Sequence, residues 1–347
     1  MYLSDLTKAE LQNLLAEWGE PRYRADQVYA WLSSCVPVAD MTNIPKPLRE
    51  KLAAIPYGAI TIAQKHVSKK DGTIKYLFQL DDQNLVEGVL MRYHYGNTLC
   101  LSTQIGCRMG CAFCASTLEG LIRNLRPGEM LGQVAAVMRD LPATDNGQRS
   151  VTNLVLMGSG EPLDNYNHVL RFLEAVTSPE GMHFSPRNIS VSTCGIVPMM
   201  ERFMQEAPHV TLSVSLHAHS DEQRAALMPV NRRYPIAEVL NAAKRYADAT
   251  GRRIVFEYVL IRGHNADKSD ALALAGRLKG ILCHVNLIPL NAVPERGLDG
   301  ATRAEAEQFC TWLQEAHISA TVRREMGTDI EGACGQLRRR VIHEVRE

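Results

Sequence analysis

The sequence has no long apolar run and no surplus of charge of either sign. No segment approaches the roughly 20 apolar residues that a membrane helix needs. The opening residues, MYLSDLTKAEL, lack the basic start and apolar core of a secretory signal. The 38 basic residues balance the 38 acidic ones, whereas proteins that coat duplex nucleic acid are usually strongly basic. We therefore expect a cytoplasmic protein without a membrane segment, in which any basic groove is local.

Internal repeats and low-complexity segments are also absent, so solenoid and fibrous architectures are not indicated. The 347 residues, 46% hydrophobic and 22% charged, suit one large domain or a domain with an appendage. Structural disulfides are rare in the reducing cytosol. The nine cysteines are therefore expected to bind metal, to react, or to be buried. Burial is the expectation for three that stand alone in the sequence, namely Cys35, Cys283 and Cys310.

The first 90 residues differ in pattern from the rest. Thr7 and Glu10 form a capping-box pattern ahead of an apolar helical stretch, and two more short helices are predicted after it. Two alternating stretches then flank a turn at Asp71-Gly72. We place a boundary near residue 90. Residues 1–90 would form a helical accessory domain with a short β segment, and residues 91–347 the main domain.

From residue 98 onward, β-branched runs alternate with helix-period stretches. Such alternation predicts βαβ units and a parallel sheet, and six units suit a full or partial (β/α) barrel of the α/β class. In such barrels the active site lies at the C-terminal ends of the strands. The predicted strands are TLCLST, VTNLVLMG, NISVST, VTLSVSLH, RRIVFEYVLI and HVNLIPLN, with SATVRRE as a candidate seventh.

Polar residues and glycines cluster where these strands end. A strand-end serine alone is typical of a turn, and a single histidine is typical of a structural side chain. Their shared position at one predicted rim favours a binding site. The strand-end residues are Gly160, Glu161, Ser192, Ser215, Leu216, His217 and Asn291.

Three cysteines follow the first of these strands in a C-x3-C-x2-C pattern: Cys107, Cys111 and Cys114. Structural zinc sites have four protein ligands, and conventional iron–sulfur clusters take four thiolates. Three thiolates on a four-iron cluster would leave one iron open to bind a substrate. A zinc knuckle completed by a distant ligand remains the alternative.

The C-x3-C-x2-C spacing, with Phe113 before the third cysteine, resembles the radical S-adenosylmethionine (SAM) superfamily. The resemblance implies a partial (β/α) barrel and a [4Fe-4S] cluster held by the three cysteines. It also implies that the open iron chelates SAM, whose reductive cleavage produces a 5′-deoxyadenosyl radical. The strand-end residues from Gly160 to Asn291 match positions that contact SAM in this superfamily.

Two further cysteines narrow the resemblance. Cys100 precedes the three-cysteine loop by seven residues, and Cys334 lies in a polar loop, GACGQ, near the C-terminus. Together with VEGV, MGSGEPL, STCGIVP, MPVNRRYPI and ACGQL, they resemble the radical SAM enzymes that methylate carbon 2 of adenosine in ribosomal and transfer RNA. A sister branch methylates carbon 8, confers antibiotic resistance, and shares the catalytic parts.

The resemblance implies a role for each cysteine. Cys334 would take a methyl group from one SAM, and a second SAM would supply the radical that joins this carbon to adenine. Cys100 would then release the RNA by forming a disulfide with Cys334. Glu87 matches the proton acceptor of the family, unless it is simply a solvent-facing strand residue. Cys194 stands where the family more often has a small residue, and no role is assigned to it.

The expected function is therefore adenine-C2 methylation of 23S rRNA, at the peptidyl transferase centre, and of adenosine 37 in tRNA. Each turnover would use two SAM molecules and one electron from a flavodoxin-type donor. We expect a monomer that contacts RNA through residues 1–90. Two alternatives remain: a carbon-8 methyltransferase, and a noncatalytic iron–sulfur or zinc protein that binds RNA and would tolerate loss of Cys100 and Cys334.

Overall fold

The computed structural model describes residues 1–141, 149–291 and 294–330. Its α-helices are α1 Lys8–Glu17, α2 Tyr23–Ser33, α3 Lys46–Ala53, α4 Pro127–Asp140, α5 Tyr166–Thr177, α6 Val197–Glu206, α7 Asp221–Leu227, α8 Ile236–Thr250, α9 Lys268–Leu278 and α10 Arg303–Glu315. Its strands are β1 Thr61–Val67, β2 Ile74–Gln79, β3 Leu85–Tyr93, β4 Gly96–Cys100, β5 Gln104–Gly106, β6 Leu121–Asn124, β7 Asn153–Leu156, β8 Ile189–Thr193, β9 Thr211–Ser215, β10 Ile254–Leu260, β11 Cys283–Pro289 and β12 Ala320–Val322. No helix in these ranges is long and apolar enough to cross a bilayer.

Ten strands form one sheet in the order β1-β2-β3-β4-β7-β8-β9-β10-β11-β12. The run from β4 to β12 is parallel throughout, while β1, β2 and β3 extend it as antiparallel neighbours. Within the described ranges no pairing joins β12 to β4, so the barrel is open. The predicted α/β partial barrel is confirmed.

All seven predicted barrel strands are present, including the seventh. The β-branched runs become strands, and the helix-period stretches between them become α4, α5, α6, α8, α9 and α10. Two features were not predicted. One is α7, whose seven residues are too few to show a period. The other is the two-stranded sheet of β5 and β6 that flanks the three-cysteine loop.

The strands of the barrel divide apolar from polar side chains. On β8, Ile189 and Val191 are buried in the main core, whereas Ser190 and Ser192 are only half-buried. Successive side chains of a strand point to opposite faces, so the serines face the interior of the barrel. The Ser190 hydroxyl lies 3.2 Å from that of Ser213 on β9. The interior is therefore partly polar, as a chamber for polar ligands requires.

The N-terminal helices form a small core of their own and dock on α4. The predicted capping box is present: the Glu10 N–H donates to the Thr7 hydroxyl, and the Thr7 N–H donates to the Glu10 carboxylate. At the docking surface the Asp5 carboxylate accepts from the Gly128 N–H at 3.0 Å and from Arg126 at 3.1 Å. The small core consists of Leu3, Leu11, Leu15, Ala25, Val28, Leu32, Val38, Met41, Ile44, Leu48 and Leu52.

The predicted boundary near residue 90 falls inside β3. This strand pairs with β4, so β1, β2 and β3 share the sheet of the barrel. The predicted hairpin between β1 and β2 is present, with a turn ahead of Gly72. Whether residues 1–90 act as one accessory domain stays a prediction.

Gly128 tests how tightly the N-terminal segment docks. A Cβ at this position would lie 2.9 Å from the backbone carbonyl carbon of Ser4 and closer still to the Ser4 side chain. We expect Gly128→Ala to lower the free energy of unfolding by about 1–3 kcal/mol through overpacking, measured by urea denaturation. The control is Gly276→Ala, at an exposed position of α9 where a Cβ would meet nothing within 4 Å. The control should be neutral or stabilising, and equal effects of both changes would show that the docking is loose.

Candidate active site

A cavity of about 270 Å³ opens at the C-terminal ends of the parallel strands. This is the rim on which the strand-end residues were predicted to meet. Every one of them except Leu216 lines the cavity together with the three cysteines of the loop: Cys107, Cys111, Cys114, Gly160, Glu161, Ser192, Ser215, His217 and Asn291. The structure thus brings the predicted cluster ligands and the predicted cofactor contacts into one chamber.

The three-cysteine loop is held by hydrogen bonds to its backbone. The Ala112 N–H donates to the Leu227 carbonyl at 2.8 Å. The Thr117 hydroxyl lies 3.1 Å from the Cys111 carbonyl and 2.9 Å from that of Cys114, and Arg296 donates to this hydroxyl at 2.6 Å. The loop's backbone is held in this way, and its three cysteines line the chamber.

The thiols suit an iron–sulfur cluster. Burial raises the pKa of Cys107 to about 12 and raises that of Cys111 further, so both are protonated at neutral pH unless a metal replaces the proton. Gly110 lies between them with φ +71°, a conformation open to glycine. Three cysteines that line one chamber, beside a glycine turn, are the kind of donor set that a [4Fe-4S] cluster takes at three of its corners.

Glu161 is held at the wall of the chamber by backbone groups. It is 4% exposed, and its carboxylate accepts from the N–H groups of Cys194 at 2.7 Å and Leu163 at 3.0 Å. Burial raises the pKa of Glu161, and these hydrogen bonds oppose the rise. Gly160 before it has φ +106°, and a Cβ there would lie 2.7 Å from the Gln104 nitrogen. The carboxylate is therefore placed to accept hydrogen bonds from an ammonium group.

His217 is neutral and fixed in orientation. Its backbone has φ +59°, and its Nδ1 accepts from the Val259 N–H at 3.0 Å, so the proton of the neutral ring lies on Nε2. Burial lowers the pKa of His217 to about 3. The edge of the ring meets Phe113, with centroids 4.9 Å apart. The predicted strand-end histidine is thus linked directly to the cysteine loop.

Leu216 does not reach the chamber with its side chain. It is fully buried in the main core, and its N–H donates to the Glu257 carbonyl at 3.0 Å. Any contact it makes with a bound cofactor would be through the backbone. Asn291 lines the chamber from the exposed end of the segment that follows β11.

Arg224 holds the rim together and was not predicted. It is fully buried on α7, and its guanidinium donates to the carbonyls of Cys194 at 2.6 Å, Leu216 at 3.2 Å and Ser215 at 3.3 Å. It therefore ties the end of β8 to the end of β9. The only signal in the sequence was the Ser220 cap, which accepts from the Gln223 N–H and would have revealed the helix but not its arginine.

Cys100 lies in a second cavity that adjoins the first. This cavity of about 150 Å³ is lined by Cys100, Val89, Met91 and Met326, and it shares Met157, Ile288, Asn291 and Arg323 with the cluster chamber. Cys100 is 5% exposed and sits opposite Val89 in the register of β3 and β4. The cavity of Cys100 and the cluster chamber thus share part of their walls.

Glu87 is buried rather than solvent-facing, so that alternative is wrong. It is 4% exposed, and its carboxylate lies 3.4 Å from the ammonium of Lys75, which is fully buried. By strand alternation Glu87 shares the face of Val89, which lines the Cys100 cavity. Lys75 was missed because a lysine in a strand is ordinarily read as surface. The role of Glu87 as proton acceptor stays a prediction.

Four of the remaining five cysteines are buried in the structure. Cys35, Cys283 and Cys310 are buried, as predicted. Cys194 is buried against Cys111 at the cluster chamber. Cys334 lies outside the described residues. The segment that leads towards it, residues 323–326, lines the cavity of Cys100.

An open parallel barrel with a three-cysteine loop at the ends of its strands defines a radical SAM enzyme. The model of the Radical SAM superfamily matches residues 101–275. The model of the Ribosomal RNA large subunit methyltransferase N-terminal domain matches residues 1–57, which cover the small helical core.

Relatives match the chain over almost its whole length. A protein of Thermoanaerobacter sp. (strain X514), "Probable dual-specificity RNA methyltransferase RlmN", is 47% identical over 99% of both chains. The protein of the same name from Pelotomaculum thermopropionicum is 50% identical over 98% of this chain and 92% of its own. The crystal structure of a radical SAM methyltransferase from Sphaerobacter thermophilus has a TM-score of 0.90 and 46% identity, covering 97% of this chain and 98% of the other.

The chain belongs to the RlmN family of radical SAM RNA methyltransferases. Its cofactors are accordingly a [4Fe-4S] cluster and SAM. Both predictions, of the family and of the cofactors, are confirmed.

The buried pair of Lys75 and Glu87 yields a test of stability. We expect Lys75→Met to lower the free energy of unfolding by about 3–5 kcal/mol, because it leaves a buried carboxylate without its counter-charge. Adding Glu87→Leu should recover most of that loss, since apolar side chains can replace a buried ion pair. Urea denaturation measures both.

The control is Lys244→Met, whose partner Asp248 lies 2.8 Å away on an exposed helix face. It should change the free energy of unfolding by less than about 1 kcal/mol. A Lys75→Met protein as stable as this control would contradict the burial of the pair.

Proposed function

We propose that this enzyme methylates carbon 2 of adenosine at the peptidyl transferase centre of 23S rRNA and also of adenosine 37 in tRNA. The dual-specificity name of its relatives supports two kinds of RNA substrate. The observation that carries the proposal is the placement of Cys100 in a cavity that adjoins the cluster chamber. A release step requires a thiol beside the chamber, whereas holding a cluster does not.

Cys107, Cys111 and Cys114 would hold the cluster. Glu161 would accept hydrogen bonds from the SAM ammonium group, while Ser192, Ser215, the Leu216 backbone, His217 and Asn291 would bind the rest of the molecule. When bound, the cluster supplies the electron that cleaves SAM and generates a radical. Gly160 allows the backbone to approach closely, and Arg224 keeps the ends of β8 and β9 at the spacing that this binding needs.

Cys334 and Cys100 would act in turn on one methyl carbon. Cys334, as a thiolate, forms a carbon–sulfur bond with a SAM methyl group while the sulfonium carbon–sulfur bond breaks. Once that carbon is joined to adenine, the Cys100 thiolate attacks the Cys334 sulfur. A disulfide forms, and the electron pair of the broken carbon–sulfur bond stays on the carbon, which takes up a proton and becomes the new methyl group.

Glu87 would accept the proton that adenine carbon 2 loses. An external thiol or a reductase then reduces the disulfide for the next turnover.

The partners follow from the same proposal. A flavodoxin-type protein would deliver the electron, and residues 1–90 would contact the RNA. An adenine in a loop or at a helix end reaches such a chamber most readily, because the base is already unpaired. We propose that the enzyme acts as a monomer in the cytoplasm.

Cys100→Ala tests the release step. Without this thiol the joined protein and RNA cannot separate, so we expect an adduct that survives a denaturing gel and a fall in product per enzyme of more than tenfold. The matched control is Cys283→Ala, which removes a buried thiol from β11 on the core side of the sheet and should form no adduct. If the Cys100→Ala enzyme methylates RNA normally and forms no adduct, the proposed role of Cys100 is wrong.

Identifying the methylated nucleoside shows which carbon of adenine the enzyme methylates. Nucleosides from RNA treated with the reconstituted enzyme should contain 2-methyladenosine when separated by liquid chromatography and mass spectrometry. If 8-methyladenosine appears instead, the chain is a carbon-8 methyltransferase. RNA without any methylated adenosine would favour a protein that only binds RNA.

A further inference from the structure

The turn between β1 and β2 holds the chain that leads to Cys334. This turn, residues 68–73, bonds to residues 327–329, which lie more than 250 positions later in the sequence. The Gly327 N–H donates to the Asp71 carboxylate at 2.8 Å. Asp329 accepts from the Ser68 hydroxyl at 2.6 Å and from the Lys69 N–H at 2.9 Å. We call these contacts the hairpin anchor.

The turn is organised to receive that segment. Ser68 is 3% exposed, and its hydroxyl also accepts from the Lys70 N–H at 3.1 Å. The second oxygen of Asp71 accepts from the Thr73 N–H at 2.9 Å. Burial opposes ionisation of Asp71, but the hydrogen bonds from Gly327 and Thr73 outweigh it and lower its pKa to about 2. The carboxylate is therefore charged and correctly oriented at neutral pH.

The segment also fits closely against the turn. Gly327 is buried and has φ +63°, and a Cβ there would lie 3.0 Å from the Thr73 methyl group. A glycine allows both this backbone conformation and the close approach. Lys70 adds a fourth contact, from its ammonium to the Thr328 hydroxyl at 3.1 Å.

The anchor lies directly after the residues that border Cys100. Met326 packs against Val89, Met91 and Cys100, and Gly327 follows it. Five positions separate Asp329 from Cys334, whereas twelve separate it from Val322, the last residue of β12. By chain length alone, a tether of five residues from Asp329 spans a much smaller volume than one of twelve residues from β12.

We propose that the hairpin anchor positions the chain end so that Cys334 stays within reach of Cys100. Ser68, Asp71 and Asp329 are positioning residues, and β1 and β2 serve the reaction rather than only extending the sheet. The inference rests on the proposed function, since it takes Cys100 and Cys334 to be partners. Exposed polar contacts such as those of Asp329 add little to fold stability, so they can be removed without unfolding the barrel.

The experiment measures how readily Cys100 and Cys334 form a disulfide in the full-length protein without its cluster. The protein is equilibrated in glutathione redox buffers, free thiols are alkylated, and the peptide pair is quantified by mass spectrometry. The variants are Ser68→Ala, Asp329→Ala, and a double variant that joins Asp71→Ala to Asp329→Ala. The conservative variant is Ser68→Thr, and the control is Asp81→Ala, an exposed carboxylate at the opposite end of β2.

Effective concentration falls as about the 3/2 power of tether length. When the anchor is intact, the tether to Cys334 begins at Asp329. Without the anchor it begins at Met326 or at the end of β12, and the effective concentration of the two thiols should fall about two- to fourfold. The double variant breaks the contacts of both Asp71 and Asp329 and should show this fall. Asp329→Ala alone leaves Gly327 bonded to Asp71 and should fall less. Ser68→Ala leaves Asp329 bonded to the Lys69 N–H and should fall least. Ser68→Thr and Asp81→Ala should match the unaltered protein.

The two ways of failing are distinct. Equal disulfide formation in the unaltered protein and in all variants would overturn the anchor and leave the proposed function standing. If the unaltered protein forms no disulfide between Cys100 and Cys334, the pairing assumed by the proposed function fails, and the anchor fails with it.

Hydrogen exchange separates release of the segment from unfolding. In the double variant of Asp71 and Asp329, the amides of Lys69 and Gly327 should exchange faster, while that of Leu212 on β9 should not change. If Lys69 and Gly327 exchange at the unaltered rates in this variant, other contacts hold the segment and the proposal is overturned.

Discussion

The rim of the barrel depends on two buried ionisable side chains, Glu161 and Arg224, that form hydrogen bonds with the backbone of the same residue, Cys194. Glu161 accepts from the N–H of Cys194, and Arg224 donates to its carbonyl. A buried ionisable group is costly unless its hydrogen bonds are satisfied, so the backbone of Cys194 has little freedom to move. Arg224 also donates to two carbonyls at the C-terminal end of β9. These interactions therefore set the spacing between the C-terminal ends of β8 and β9.

Much of the fold could be predicted because it depends on local pattern. The β-branched runs that became β4 and β7–β12, and the capping box at Thr7, are signals carried by neighbouring residues. Lys75 and Arg224 could not be found in the same way. Each is a charged side chain in an ordinary strand or helix sequence, and its burial depends on the pairing of β2 with β3 or on backbone carbonyls from β8 and β9.

In the site, too, local features could be predicted from the sequence, whereas contacts between distant residues could not. Its cysteine spacing and strand-end residues were visible in the sequence, since parallel strands bring their C-terminal ends to one rim. Glu87 could be singled out from its apolar surroundings, but its partner lies on another strand. The contact between Asp71 and Gly327 joins residues that are 256 positions apart in the sequence, so no local pattern predicts it.

An open sheet of ten strands leaves two edges, and both are unsuited to recruiting another chain. In the described part of the protein, β12 is only three residues long, and β1 carries a register shift between Ile62 and Gln64. Short or irregular outer strands of this kind offer a poor template for strand addition. The fold can therefore keep its barrel open for a large substrate without becoming prone to aggregate along its margins.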